Sequence, residues 1–122
     1  MENTIECYTD ASYSPQFDIC VIGYKIGIHD VITNILPNIK NTQGELLAID
    51  ECIYFCENLY PKCKIIIHTD CQRATQNKYD NTTIIKLDGH KKKILKDDKD
   101  KIFSIVDKRV RQVLRQTIKC YK

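Results

Sequence analysis

Lys64-Ile65-Ile66-Ile67-His68-Thr69-Asp70 is a short, nearly unbroken apolar run that closes on an acid. Consecutive β-branched residues suit a pleated strand, and the lack of polar alternation suits a central strand buried on both faces. The pattern changes on either side. Upstream, Leu46, Ile49, Ile53, Cys56 and Tyr60 recur at i, i+3, i+7, i+10 and i+14, the stripe of an amphipathic helix, and Pro61 stops it. Downstream, Cys71 to Lys78 has room for about two turns of helix. Asn81 then leads into a strand from Thr82 to Leu87, ending at Asp88-Gly89-His90.

Further out, the first 36 residues read as strands. Ile5, Cys7 and Thr9 alternate with Glu6 and Tyr8 in a half-buried strand expected to end at Asp10, with a turn at Ser12-Tyr13-Ser14-Pro15-Gln16. Ile19 to Ile28 and Val31 to Leu36 complete an antiparallel meander. Residues 91–101 read as a charged loop. From Ile102 onward, Ile102, Val106, Val110, Val113 and Thr117 define a last helix. The order is β-β-β-α-β-α-β-α, which predicts one α/β domain over residues 1–122 with a mixed five-stranded sheet and helices on its faces.

Composition narrows the function classes. At 122 residues the chain fits one globular domain and excludes a two-domain enzyme or a repeat array, and 43% hydrophobic with 29% charged residues does not favour disorder. No apolar run approaches the ~20 residues of a membrane span, so no membrane partner is expected. The acidic start Met1-Glu2-Asn3-Thr4-Ile5-Glu6 does not read as a secretory leader. Seven cysteines, at 7, 20, 52, 56, 63, 71 and 120, form no C-x-x-C pair and mostly sit in apolar segments. They read as reduced thiols in an intracellular, reducing compartment, cytoplasm or nucleus. The net charge of +3 hides an asymmetry. Residues 1–84 carry 6 basic and 11 acidic groups, and residues 85–122 carry 13 basic and 5 acidic. A solvated helix face accounts for most Lys-rich helices, but the run Lys91-Lys92-Lys93 after a strand end points toward a polyanion.

Four acids stand at notable positions: Asp10 and Asp70 at strand ends, Glu45 at the start of the first helix, and Asp107 in the last. Taken singly, each reads as a cap or turn residue. Ligands of α/β sheets gather at carboxyl strand ends, and adjacency of the first and fourth strands would bring Asp10 beside Asp70. Crowded carboxylates need cations to stay ionised, and hard oxygen donors suit Mg²⁺ or Mn²⁺. A pair of such ions ~4 Å apart supports phosphodiester cleavage.

These residues resemble the type 1 ribonuclease H family, in order and over nearly the whole chain. Tyr8-Thr9-Asp10-Ala11-Ser12 is similar to its first-strand motif, and Asn41-Thr42-Gln43-Gly44-Glu45-Leu46-Leu47-Ala48-Ile49 to its helix motif. His68-Thr69-Asp70-Cys71-Gln72 is similar to its T-D-S-Q motif, Gly89-His90 to its loop, and Val106-Asp107-Lys108 to its last metal-binding aspartate. The resemblance implies a ribonuclease H-like fold and a two-ion endonuclease acting on the RNA strand of RNA–DNA hybrids, expected as a monomer. It implies that Asp10 bridges both ions, that Glu45 and Asp70 complete one site and Asp107 the other, and that His90 assists proton transfer or product departure. Ser12, Asn41 and Gln72 would contact nucleic acid, the amides reading the 2′-hydroxyls that separate RNA from DNA.

The chain departs from the family in places. Only 19 residues separate Asp70 from His90, so the basic handle of bacterial members is missing, and Lys91, Lys92, Lys93 and Lys96 are the expected substitutes, with Arg109, Arg111 and Arg115 behind them. His90 and Asp107 lie 17 positions apart, more than is usual, which leaves Asp97, Asp98 and Asp100 as alternatives for the fourth ligand. Asp107 is preferred because packing beside Val106 can fix it. Two other readings stay open: a structure-specific DNA nuclease of the same superfamily, and a non-catalytic nucleic-acid-binding module. The latter has no need of four acids that repel phosphates.

Overall fold

The computed structural model describes residues 3–76, 79–87 and 98–121, and the 64–70 run forms a strand inside a five-stranded mixed sheet. In chain order the elements are β1 (Thr4–Ser14), β2 (Ile19–Ile26), β3 (Ile32–Pro37), α1 (Asn41–Leu59), β4 (Lys64–Thr69), a 3-10 turn (Gln72–Gln76), β5 (Thr82–Lys86) and α2 (Asp98–Lys119). The strands lie in the order β3-β2-β1-β4-β5. β1 to β3 form the antiparallel meander, while β4 pairs parallel with both β1 and β5. Among the described residues no helix is long and apolar enough to cross a membrane.

Strand alternation divides the core in two. On one face Cys7, Tyr24, Ile26, Ile65 and Ile67 pack against Ile49, Cys52, Ile53 and Cys56 of α1. On the other, Tyr8 packs with Phe103 and Val106 of α2, and Ile19 and Val21 pack with Val110 and Leu114. All seven cysteines are free thiols, and Cys7, Cys20, Cys52 and Cys56 are buried as small core residues.

Several expected boundaries differ. β1 runs on through Asp10 to Ser14, because Asp10 to Ser14 pair with Gly23 to Ile19 of β2 and the turn falls later, over residues 15–18. Asp10 therefore sits inside a strand rather than at its end. A single 3-10 turn replaces the helix expected from Cys71; positions 77–78 lie outside the described residues. α2 starts at Asp98 rather than Ile102, with Asp98 and Asp100 in its first turn, where acids oppose the positive end of the helix dipole. Its buried stripe is Phe103, Val106, Val110 and Leu114, rotated from the expected one. The rest of the expected 91–101 loop, with His90, lies outside the described residues.

Two glycines seat the helices. A Cβ at Gly44 in α1 would overlap the Cys20 thiol, and one at Gly23 in β2 would overlap the Val110 side chain of α2. Gly23 pairs with Asp10 across the β1–β2 ladder, so both close approaches flank the same stretch of β1. Gly23→Ala is expected to destabilise the fold by about 1–3 kcal/mol through overpacking against a stiff, fully buried valine. Val110→Ala in the same chain should recover part of that loss, as read by urea unfolding.

Candidate active site

The parallel register of β1 and β4 places the first two acids. Tyr8 pairs with His68, and two residues further along each strand stand Asp10 and Asp70. They fall at the carboxyl ends of β4 and of the part of β1 paired with it, where the chain order switches from one side of β1 to the other. Glu45 reaches them from the second turn of α1, which the Gly44 contact holds against Ala11 and Cys20. One ligand oxygen from each of Asp10, Glu45 and Asp70 lies within 4.8 Å of the others. Asp107 enters from α2 on the face shared with Asp10. All four line an open cleft of about 320 Å³, together with Ser12, Tyr13, Asn41 and Arg111.

Burial and like charge set the electrostatics. Asp10 and Glu45 are buried, whereas Asp70 is exposed. Burial first, then the charges of Glu45, Asp70 and Asp107, push Asp10 up to about 10; a hydrogen bond to Asp107 adds to the rise. Glu45 is pushed up to about 8 by burial and by Asp70, against the lowering effects of the Ala11 N–H and of a hydrogen bond with Asp10. Both acids thus hold protons well above the usual carboxylate range, Asp10 furthest. Asp10 Oδ2 and Glu45 Oε2 are buried with no hydrogen-bond partner among the described residues. Orphaned carboxylate oxygens facing further carboxylates make a donor set that fits a divalent cation.

Of the residues singled out from sequence, Asp10, Glu45, Asp70, Asp107, Ser12 and Asn41 line one cleft or its cluster. Gln72 opens the exposed 3-10 turn two residues after Asp70. His90, Lys91, Lys92, Lys93, Lys96 and Asp97 lie outside the described residues. Neither Asp98 nor Asp100 lines the cleft. Asp100 is buried two helical turns before Asp107, about 10 Å away along the axis.

Some of the surroundings had no sequence signal. Tyr13 donates to Asp18 Oδ1 at 2.7 Å, and Lys40 donates to both, at 3.0 Å to Tyr13 and 3.1 Å to Asp18. This clamps the β1–β2 hairpin to the start of α1. Glu6 accepts from Lys99 at 2.8 Å and meets His68 Nε2 at 3.2 Å, and the buried His68 ring stacks on Tyr8 with centroids 4.7 Å apart. That network ties α2 to β1 and β4. Arg111, expected only as a lesser phosphate contact, stands one helical turn after Asp107 and pairs with it at 3.1 Å.

No protein-family model and no curated protein matches the sequence. Solved structures match the fold. The LC11 ribonuclease H1 isolated from compost by a metagenomic approach superposes with a TM-score of 0.64 at 12% identity, over 92% of this chain and 99% of that one. Its structure in complex with RNA/DNA hybrid matches with a TM-score of 0.56 at 11% identity, over 68% of this chain and 84% of that one. The prototype foamy virus protease-reverse transcriptase matches with a TM-score of 0.67 at 13% identity, over 91% of this chain and 20% of that one. Ribonuclease H1 from the halophilic archaeon Halobacterium salinarum gives 0.58 at 12% identity, over 70% of this chain and 86% of that one. The protein has a ribonuclease H-like α/β fold. At the switch point of its sheet stands a carboxylate cluster of metal-binding type.

The raised acids couple stability to pH with a definite sign. In the unfolded chain Asp10 and Glu45 lose their protons near 3.8 and 4.5, whereas the fold keeps them to about 10 and about 8. The native state binds more protons in between, so metal-free stability falls as pH rises through that window and levels off above it. Asp10→Asn is expected to flatten the fall. Mg²⁺ or Mn²⁺ should raise Tm of the wild type, more at pH 8 than at pH 5, and much less in Asp10→Asn. Thermal melts with and without EDTA check both.

Proposed function

We propose that the protein is a metal-dependent endonuclease that hydrolyses the RNA strand of RNA–DNA hybrids. The observation that carries this reading is the convergence of Asp10, Glu45 and Asp70, with Asp107 lining the same cleft, in a ribonuclease H-like sheet. Mg²⁺ is the proposed ion, with Mn²⁺ as the alternative; two such ions would supply charge to the attacking and leaving oxygens of a phosphodiester and lower the pKa of a water. Asp10 is assigned to both ions, Glu45 and Asp70 to one, and Asp107 to the other.

Substrate recognition falls to the cleft walls. Ser12 and Asn41 present a hydroxyl and an amide there, and Gln72 a second amide beyond Asp70, groups able to bond 2′-hydroxyls. His90 is assigned a proton-transfer or product-release role, its ordinary pKa near ~6.5 suiting either direction. Lys91, Lys92 and Lys93 are assigned to backbone phosphates. The hybrid bound to the structurally similar LC11 enzyme supports the choice of substrate. A monomer in a reducing, intracellular compartment completes the proposal.

The deciding experiment offers hybrid, double-stranded RNA and duplex DNA to the protein with Mg²⁺ or Mn²⁺. Cleavage of the RNA strand of the hybrid is expected, and Asp70→Asn should abolish it while circular dichroism stays unchanged. Cutting of DNA alone would retain the metal site and overturn the ribonuclease assignment. Absence of cutting with either ion would favour a binding module. Replacing Lys91, Lys92 and Lys93 by Gln should weaken hybrid binding and flatten its slope against log salt by about three, one per phosphate contact. An unchanged Kd at low salt would remove the lysines from the interface.

A further inference from the structure

Among the described residues lining the cleft, Arg111 is the one cation, set against four carboxylates. Its Nη2 lies 3.1 Å from Asp107 Oδ2, and its side chain is 62% exposed against 31% for Asp107. Asp10, Glu45 and Asp70 gather their ligand oxygens without Asp107, while Asp107 lines the same cleft and pairs with the guanidinium. The Asp107 end of the cleft thus carries a cation paired to its acid. A pair this exposed is weakly held and open to exchange. A guanidinium also matches phosphate oxygens bidentately, at least as well as it matches a carboxylate.

We propose that Arg111 is a charge-exchange residue. Without nucleic acid it neutralises Asp107 and competes with a cation for that end of the cleft. When a phosphodiester backbone enters, the guanidinium moves from Asp107 to a phosphate, and Asp107 is released to hold the second cation. Completion of the two-cation site is thereby coupled to the presence of substrate. No covalent bond changes; one ion pair is exchanged for another. The inference rests on the function proposed above for its substrate, and on the carboxylate geometry alone for its cation behaviour.

The first arm of the test is a Mn²⁺ titration by calorimetry on the full chain without nucleic acid. The wild type is expected to bind one ion well and a second weakly. Arg111→Gln should strengthen the second ion by about two- to fivefold, the range an exposed ion pair allows. Asp107→Asn should remove the second ion, and adding Arg111→Gln to it should change nothing. The second arm measures hybrid binding in an Asp70→Asn background, which keeps the substrate intact. There Arg111→Gln should make the slope of log Kd against log salt shallower by about one. An unchanged second-ion affinity, or an unchanged salt slope, reduces Arg111 to a surface helix pair and overturns the proposal. Failure of the wild type to cut hybrid is a separate result: it sinks the proposed function while the Mn²⁺ titration still decides the Arg111–Asp107 competition.

Discussion

The parallel pairing of β1 with β4 governs everything else in this molecule. It sets Tyr8 beside His68, and by continuing the same register it sets Asp10 beside Asp70, residues 60 positions apart in the chain. Two carboxylates do not approach one another spontaneously; a hydrogen-bonded ladder with a packed apolar face on each side holds them there. The opposition shows in the acids themselves, since Asp10 and Glu45 cling to protons that exposed carboxylates would release. A divalent cation would resolve that opposition, so the strand pairing is also what makes the cleft fit for a metal ion.

Around this ladder the helices must come close without crowding it. Gly44 and Gly23 allow this from opposite faces, and each lies where α1 or α2 delivers an acid. Glu45 follows Gly44 directly, and Asp107 lies one turn before Val110, the residue that Gly23 accommodates. The Glu6–His68–Lys99 network ties down the start of α2, while the Lys40–Asp18–Tyr13 clamp ties the hairpin to the start of α1. The cleft is therefore assembled from three layers, with side chains braced outside it. Asp107 has Arg111 as a cationic neighbour on its own helix.

Much of this was legible in the residues. The 64–70 run, the meander and the α1 stripe gave the α/β class and most element positions, because period and β-branching reflect local burial. The four acids were legible as types at suggestive positions. Three features were not. β1 continues past Asp10 because β2 offers it partners, and pairing outweighed the turn signals of Ser12 and Ser14. Gln72–Gln76 forms a 3-10 turn, because helix propensity in so short a stretch is weak. α2 begins four residues early, since Asp98 and Asp100 favour a helix start that a search for apolar period overlooks.

The sequence by itself determined the kinds of element, their order, and a supply of hard oxygen donors, since each follows from local pattern and side-chain chemistry. Only the tertiary structure decided that β1 and β4 are neighbours and in which register, and that Asp107 rather than Asp98 or Asp100 lines the cleft. It also decided that Gly23 and Gly44 are seats for helices. The physical reason is that like charges converge only when distant segments are held by a ladder and a core, and sequence spacing does not encode which strands will pair.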